Sequence, residues 1–172
     1  LTLGFFLFDS VNHMMDLQFR HIQREDISIT FREMLPDRVR FELYSIDGVT
    51  RVETQRTVAA RLRAGHLEDE VAIQGLEADG QLRRIINAAG DEIPIPGTGL
   101  IISSMLATHL QGQAGDELIV EMLEGKRQTT EVTITGIIED FLGLTAIMSK
   151  QALWQLSGEA GVVNGAFLSI DE

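Results

Sequence analysis

The feature that most constrains this 172-residue chain is a long extended stretch, Val49 to Leu62, in which Val58, Ala60 and Leu62 recur at every second position. A period of two puts those side chains on one face of a strand, so the chain is built around a sheet. The residues around the stretch supply its neighbours. Asp26 to Arg32 alternates, with Ile27, Ile29 and Phe31 on one face, and reads as a strand. Pro36 suits the first turn of a helix, Val39, Leu43 and Ile46 recur at i, i+4 and i+7, and Gly48 stops that helix. Ala64-Gly65-His66 is a turn, and Glu70 to Gln74 alternates again with Val71 and Ile73 inward. The order is strand, helix, strand, strand.

The middle of the chain changes character. Gln81 to Asn87 is read as a short helix, and Ala88 to Gly99 is a Gly- and Pro-rich loop. Leu100 to Ile102 is a short apolar strand, and Ser103 can cap a helix running through Leu110. Leu118, Val120 and Met122 alternate, Glu124-Gly125-Lys126-Arg127 turns, and Val132, Ile134 and Ile138 alternate back as a hairpin. After that, Leu144 to Met148 reads as a strand, Lys150 to Leu156 as a helix and Gly165 to Ile170 as a final strand. Joined, the first and last sections give β-α-β-β-α-β, the order of a split βαβ, ferredoxin-like sheet in an α+β protein. The division expected is therefore 26–78 plus 140–172 as one α/β subdomain and 79–139 as an inserted β-rich one. Turn-type or charged residues sit at both junctions, Ala78-Asp79-Gly80 and Glu139-Asp140.

Residues 1–25 are read separately. Leu1 to Phe8 carries no charge, which fits either the outer end of a transmembrane helix or a buried first element of a soluble protein. A span needs about 20 such residues, and the basic start and cleavage site of a secretory signal are absent. After Asp9, Val11, Met14, Met15, Gln18 and Ile22 fall near one helical face.

Composition excludes several functions. An apolar fraction of 44% with 23% charged residues rules out a mostly disordered chain and a multi-span membrane protein. A net charge of -12 repels a phosphate backbone, so nucleic acid is not an expected partner. With no cysteine, disulfides, thiolate metal sites and cysteine nucleophiles are excluded. No phosphate-binding G-x-x-x-x-G-K-[ST] loop is present, and Pro96-Gly97-Thr98-Gly99 lacks the lysine that would make it one. His13, His21, His66 and His109 lack the tight spacing of zinc ligands. Glu68-Asp69-Glu70 reads as a solvated turn. Ser103-Ser104 lacks the Gly-x-Ser-x-Gly elbow, and Ser103 reads as an N-cap. No catalytic residue, cofactor or metal is predicted, and the chain is not read as an enzyme.

Several stretches resemble the extracytoplasmic domain of MacB/FtsX-type ABC transporter permeases. The most specific run is Gly99-Leu100-Ile101-Ile102-Ser103 through Leu106-Ala107-Thr108-His109-Leu110, then Ala114-Gly115-Asp116-Glu117-Leu118-Ile119-Val120. Gly136-Ile137-Ile138 with the helix Ser149 to Leu156, and Gly48-Val49-Thr50-Arg51-Val52-Glu53, are similar to further parts of the family pattern. The resemblance implies a porter-like sheet interrupted by a small β-rich subdomain, following the end of transmembrane helix 1. It implies a place outside the cytoplasmic (inner) membrane and a separate cytoplasmic ABC ATPase. It also implies a second permease subunit as a homo- or heterodimer, and a periplasmic adaptor or lipoprotein as possible partner. The implied role is to pass ATP-driven motion to substrate export or to an envelope partner. The alternative is a free peptide-binding module, because Gln111 to Val120 also resembles the Gly-Asp turn of PDZ domains, which bind peptides by strand addition.

Overall fold

The structure, a computed structural model, describes residues 24–87, 89–139 and 143–171. The end-of-helix reading of residues 1–25 therefore lies outside the described residues, apart from Arg24 and Glu25. The elements are β1 (Ile27–Pro36), α1 (Val39–Tyr44), β2 (Val49–Ala64), β3 (Leu67–Leu76), β4 (Leu100–Ser103), α2 (Ser104–Leu110), β5 (Glu117–Met122), β6 (Thr129–Ile138), β7 (Ala146–Ser149), α3 (Lys150–Ser157) and β8 (Val162–Ile170). The fold is α+β and dominated by its sheet.

The strand order is β1-β8-β2-β3-β7-β4-β6-β5, and β5 pairs back onto β2 at Ala60–Arg63. Strands β2, β3, β7, β4, β6 and β5 therefore close into a barrel. Beyond the barrel, the first half of β2 carries an antiparallel wing. There β8 lies between β1 and β2 and pairs with both, so the β1–α1–β2 unit is split by a strand from the far end of the chain.

The alternation that defines the strands also fills the barrel. Val58, Ala60 and Leu62 of β2 pack with Val71 and Ile73 of β3, Leu118, Val120 and Met122 of β5, and Val132 and Ile134 of β6. Leu106, Ala107 and Leu110 of α2 and Ala152, Leu153 and Leu156 of α3 join the same cluster. Residues from 26–78, 79–139 and 140–172 thus share one core. Ring closure is the part that the split-βαβ expectation did not contain. The pairing of β2 with β5 joins residues far apart in sequence, and a strand's own alternation does not say which strand lies beside it.

Two local expectations change. No helix forms over 81–87. The Leu82 carbonyl accepts instead from the Arg24 N–H at 2.8 Å and the Asn87 N–H donates to the Asp91 carbonyl at 2.9 Å, while the Gln81 and Leu82 N–H groups donate to the buried Glu53 carboxylate at 2.6 and 3.0 Å. Leu82 and Ile85 then lie over the outer face of the barrel with Ile101, Ile138, Ile147 and Phe167. Pro36, expected in a helix, ends β1 opposite Val162, and α1 starts at Val39.

Ser103 caps α2 as expected, and Ser149 is found to cap α3 in the same way. Ser103 Oγ accepts from the Leu106 N–H at 3.3 Å, and Ser149 Oγ accepts from the Ala152 N–H at 3.1 Å.

Candidate functional site

Strand β2 is where wing and barrel meet. Along one edge it pairs with β8 as far as Gln55, and with β5 only from Ala60. The backbone between would be left bare where two neighbours diverge, and such groups are costly when unpaired. The side chain of Asn164 fills the gap. Thr57 N–H donates to its Oδ1 at 2.8 Å, and its Nδ2 donates to the Thr57 carbonyl at 2.9 Å. The Leu123 N–H donates to the Ala59 carbonyl at 3.0 Å.

Beside this junction lies a network of charges. Lys150, at the first position of α3, is 1% exposed. Its ammonium donates to Thr54 Oγ1 at 2.8 Å and to Asp37 Oδ1 and Glu77 Oε1, both at 3.1 Å. Arg40 of α1 reaches the same three acceptors, at 3.0 Å from Thr54 and 3.1 Å from Asp37. Thr54 in turn donates to Asp37. The group ties together the β1–α1 turn, β2, the end of β3 and α3. Burial alone would raise the Asp37 pKa, but the Thr54 hydroxyl, the Lys150 charge and Arg40 outweigh it and hold the carboxyl below its ordinary value. Desolvation likewise opposes the charge of Arg40, yet its bonds to Asp37 and Glu77 raise its pKa overall.

A second fully buried cation, Arg56 of β2, donates to the Thr57 carbonyl at 2.8 Å and to Glu159 at 3.4 Å, with Glu124 at 3.7 Å. It links β2 to the β5–β6 turn and the α3–β8 loop. Arg83 lies over the Phe167 ring and pairs with Glu25 at 2.6 Å. Burial lowers its pKa, with Glu25 opposing.

Sequence reasoning singled out none of these residues as functional. One signal was available: a lysine at the first helical position faces the positive end of the helix dipole, so acidic partners have to hold it there. Asp37, Thr54 and Glu77 come from three other elements and carry no shared spacing.

The residues weighed for chemistry are dispersed. His66 is exposed in the β2–β3 turn. His109 Nδ1 lies 3.1 Å from Asp69 Oδ2 on an exposed face, and Glu70 pairs with Arg61 at 2.7 Å. Ser103 is the buried cap already described, and Ser104 donates to Glu139 at 3.0 Å. Gly99 has a φ of +92°, and a Cβ there would lie 2.2 Å from Thr135 Cγ2, so the Pro96–Gly99 loop uses glycine for close passage over β6. Among the described residues no group of three or more His, Asp or Glu could hold a metal. Strand β5, which follows the Gly-Asp turn, is paired on both edges, by β6 and by β2, so that strand has no edge for peptide addition.

With this geometry in hand, the fold defines a class: the chain has the fold of the extracytoplasmic domains of ABC-type transporters of the MacB kind. It is similar to the extracellular domain of the noncanonic ABC-type transporter YknZ from Gram-positive bacteria, with a TM-score of 0.60 and 14% identity, over 84% of this chain and 82% of that one. It is also similar to the periplasmic region of MacB from Actinobacillus actinomycetemcomitans, with a TM-score of 0.54 and 11% identity, over 92% of this chain and 70% of that one. No family model matches the chain, and no curated protein matches it in sequence.

Proposed function

We propose that this chain is the extracytoplasmic domain of an ABC transporter permease subunit. In this reading a separate cytoplasmic ATPase drives the motion, a second permease subunit completes a homo- or heterodimer, and the domain acts on exported substrate or on a periplasmic adaptor or lipoprotein. Residues 1–25 are the end of the first transmembrane helix and its extension, and no residue of the domain is catalytic. Among the described residues no helix is long and apolar enough to cross a membrane.

The observation that carries the reading is the match of the fold to the YknZ extracellular domain over most of both chains. The charge network supports a role in transmitting force. A load applied at β1 or α1 reaches β2, β3 and α3 through part-buried ion pairs that meet at the buried Lys150 ammonium. In this reading 26–78 plus 140–172 form the porter-like part and 79–139 the β-rich insert, and the barrel is where the two are joined.

The experiment uses the native protein in its cell. The 172 residues hold no cysteine, so Ile46→Cys, at a position 53% exposed, gives the domain one thiol, and the native protein without it is the control. A membrane-impermeant maleimide should label that thiol in intact cells, or in spheroplasts of a two-membrane organism. Labelling only after lysis would refute the extracytoplasmic placement.

A further inference from the structure

Strand β6 has one edge that the fold does not finish. β5 covers its inner edge from Thr129 to Thr133. On the outer edge β4 begins only at Ile134, where it meets Leu100. The direction of each backbone group follows from the bonds at either end. The Ile134 N–H donates to the Asp116 carbonyl and the Ile134 carbonyl accepts from the Gly115 N–H, both at 2.8 Å. The Gln128 carbonyl accepts from the Met122 N–H at 2.9 Å. Successive residues of a strand point their N–H and C=O groups to opposite edges. Thr130 and Val132 therefore face β5, and Thr129, Glu131 and Thr133 face the outer edge. The Thr133 carbonyl is shielded by Gly99, where a Cβ would lie 3.1 Å from it. No described residue pairs with the N–H and C=O of Glu131 or with the Thr133 N–H.

Helix α3 runs alongside this edge. At one end the Ser149 hydroxyl donates to the Gly97 carbonyl at 3.3 Å. At the other end a Cβ on Gly158 would lie 3.2 Å from the Gln128 amide. Between strand and helix lies a groove of about 350 Å³, with Val132, Met148, Ala152 and Leu156 among its lining and Gln155 on the helix side. Its two walls are thus a bare strand edge and a helix, and its floor is the apolar lining of the barrel.

We propose that this groove receives an extended segment of a partner polypeptide, which adds to β6 as a strand in line with β4. The exposed groups recur at every second residue, which is the spacing of another strand's backbone and not of a helix or a small molecule. The open stretch Thr129–Thr133 is about 17 Å long at roughly 3.4 Å per residue, enough for some five residues of the partner. The partner's alternate side chains face the floor and are small and apolar. Those between them pass Glu131, which is exposed on a chain of net charge -12, so a lysine or arginine is favoured there. The proposal stands on this edge and helix alone and does not depend on the permease reading.

The test titrates the isotopically labelled chain with a capped peptide in which valine alternates with lysine and threonine, and follows the backbone amides by NMR. The Glu131 and Thr133 amides should shift and become protected from hydrogen exchange. Glu131→Pro removes an N–H that β5 does not use, so it is compatible with an edge strand, and it should weaken the peptide roughly tenfold or more. Gln155→Trp narrows the groove from an exposed helix position and should do the same with no change in the thermal melt. If Glu131→Pro fails to fold, Gln155→Trp decides the matter. Absence of any shift at millimolar peptide, or full binding by the variants, overturns the proposal. So does protection of the same amides that rises with protein concentration and no peptide, since a second copy of the chain would then occupy the edge.

Discussion

Replacing Lys150 by methionine keeps the volume of its stem and removes its charge. The ammonium sits against Asp37, Glu77 and Thr54 at 2.8 to 3.1 Å and is 1% exposed. Removing one partner of a buried ion pair typically costs about 3–5 kcal/mol, because the remaining charges stay desolvated. Here Arg40 still reaches both carboxylates, so the expected loss lies near the lower end, about 3 kcal/mol. With a urea slope of roughly 1–3 kcal/mol/M, the midpoint should fall by about 1–3 M with the slope unchanged. Equilibrium urea unfolding followed by Trp154 fluorescence measures this, because Trp154 is the one tryptophan and the Lys150 ammonium lies 5.2 Å from its ring centre. A loss below about 1 kcal/mol would refute the reasoning. It would mean that the desolvation of Lys150 cancels its attraction, and that the network does not brace the junction.

Three further outcomes follow from the same structure. The Asp37 carboxyl titrates below its unfolded value, so it contributes stability above about pH 4, and that contribution is lost as the pH falls through the folded pKa. Acid titration of Asp37→Asn should therefore show a shallower loss of stability than the parent below that pH. Asn164→Ala leaves the Thr57 N–H and carbonyl without their partner and should cost about 1–3 kcal/mol by chemical denaturation; an unchanged midpoint would show that water replaces the amide. Gly99→Ala should lower the melting temperature more than Gly65→Ala. Both glycines have positive φ, but a Cβ at Gly65 meets nothing within 4 Å, whereas one at Gly99 runs into Thr135; equal effects would show that the loop can move off β6.

What the sequence determined alone was local. The period of two in Val58, Ala60 and Leu62 and in Leu118, Val120 and Met122 marked strands and their inward faces, because alternation follows from the pleat of a single chain. Ser103 marked a helix start, because a cap satisfies N–H groups only two or three residues away. The resemblance at Gly99 to Val120 and at Gly136 to Leu156 pointed to the transporter-domain fold that the structure has. The tertiary structure decided everything that depends on which strands are neighbours. Closure of β5 on β2, the gap bridged by Asn164, and the meeting of Lys150 with Asp37, Arg40, Thr54 and Glu77 all join positions that share no local spacing. The 81–87 segment shows the same limit in miniature. It reads as a helix in isolation, but Arg24 and Asp91, outside the segment, take the Leu82 carbonyl and the Asn87 N–H that a helix would pair internally.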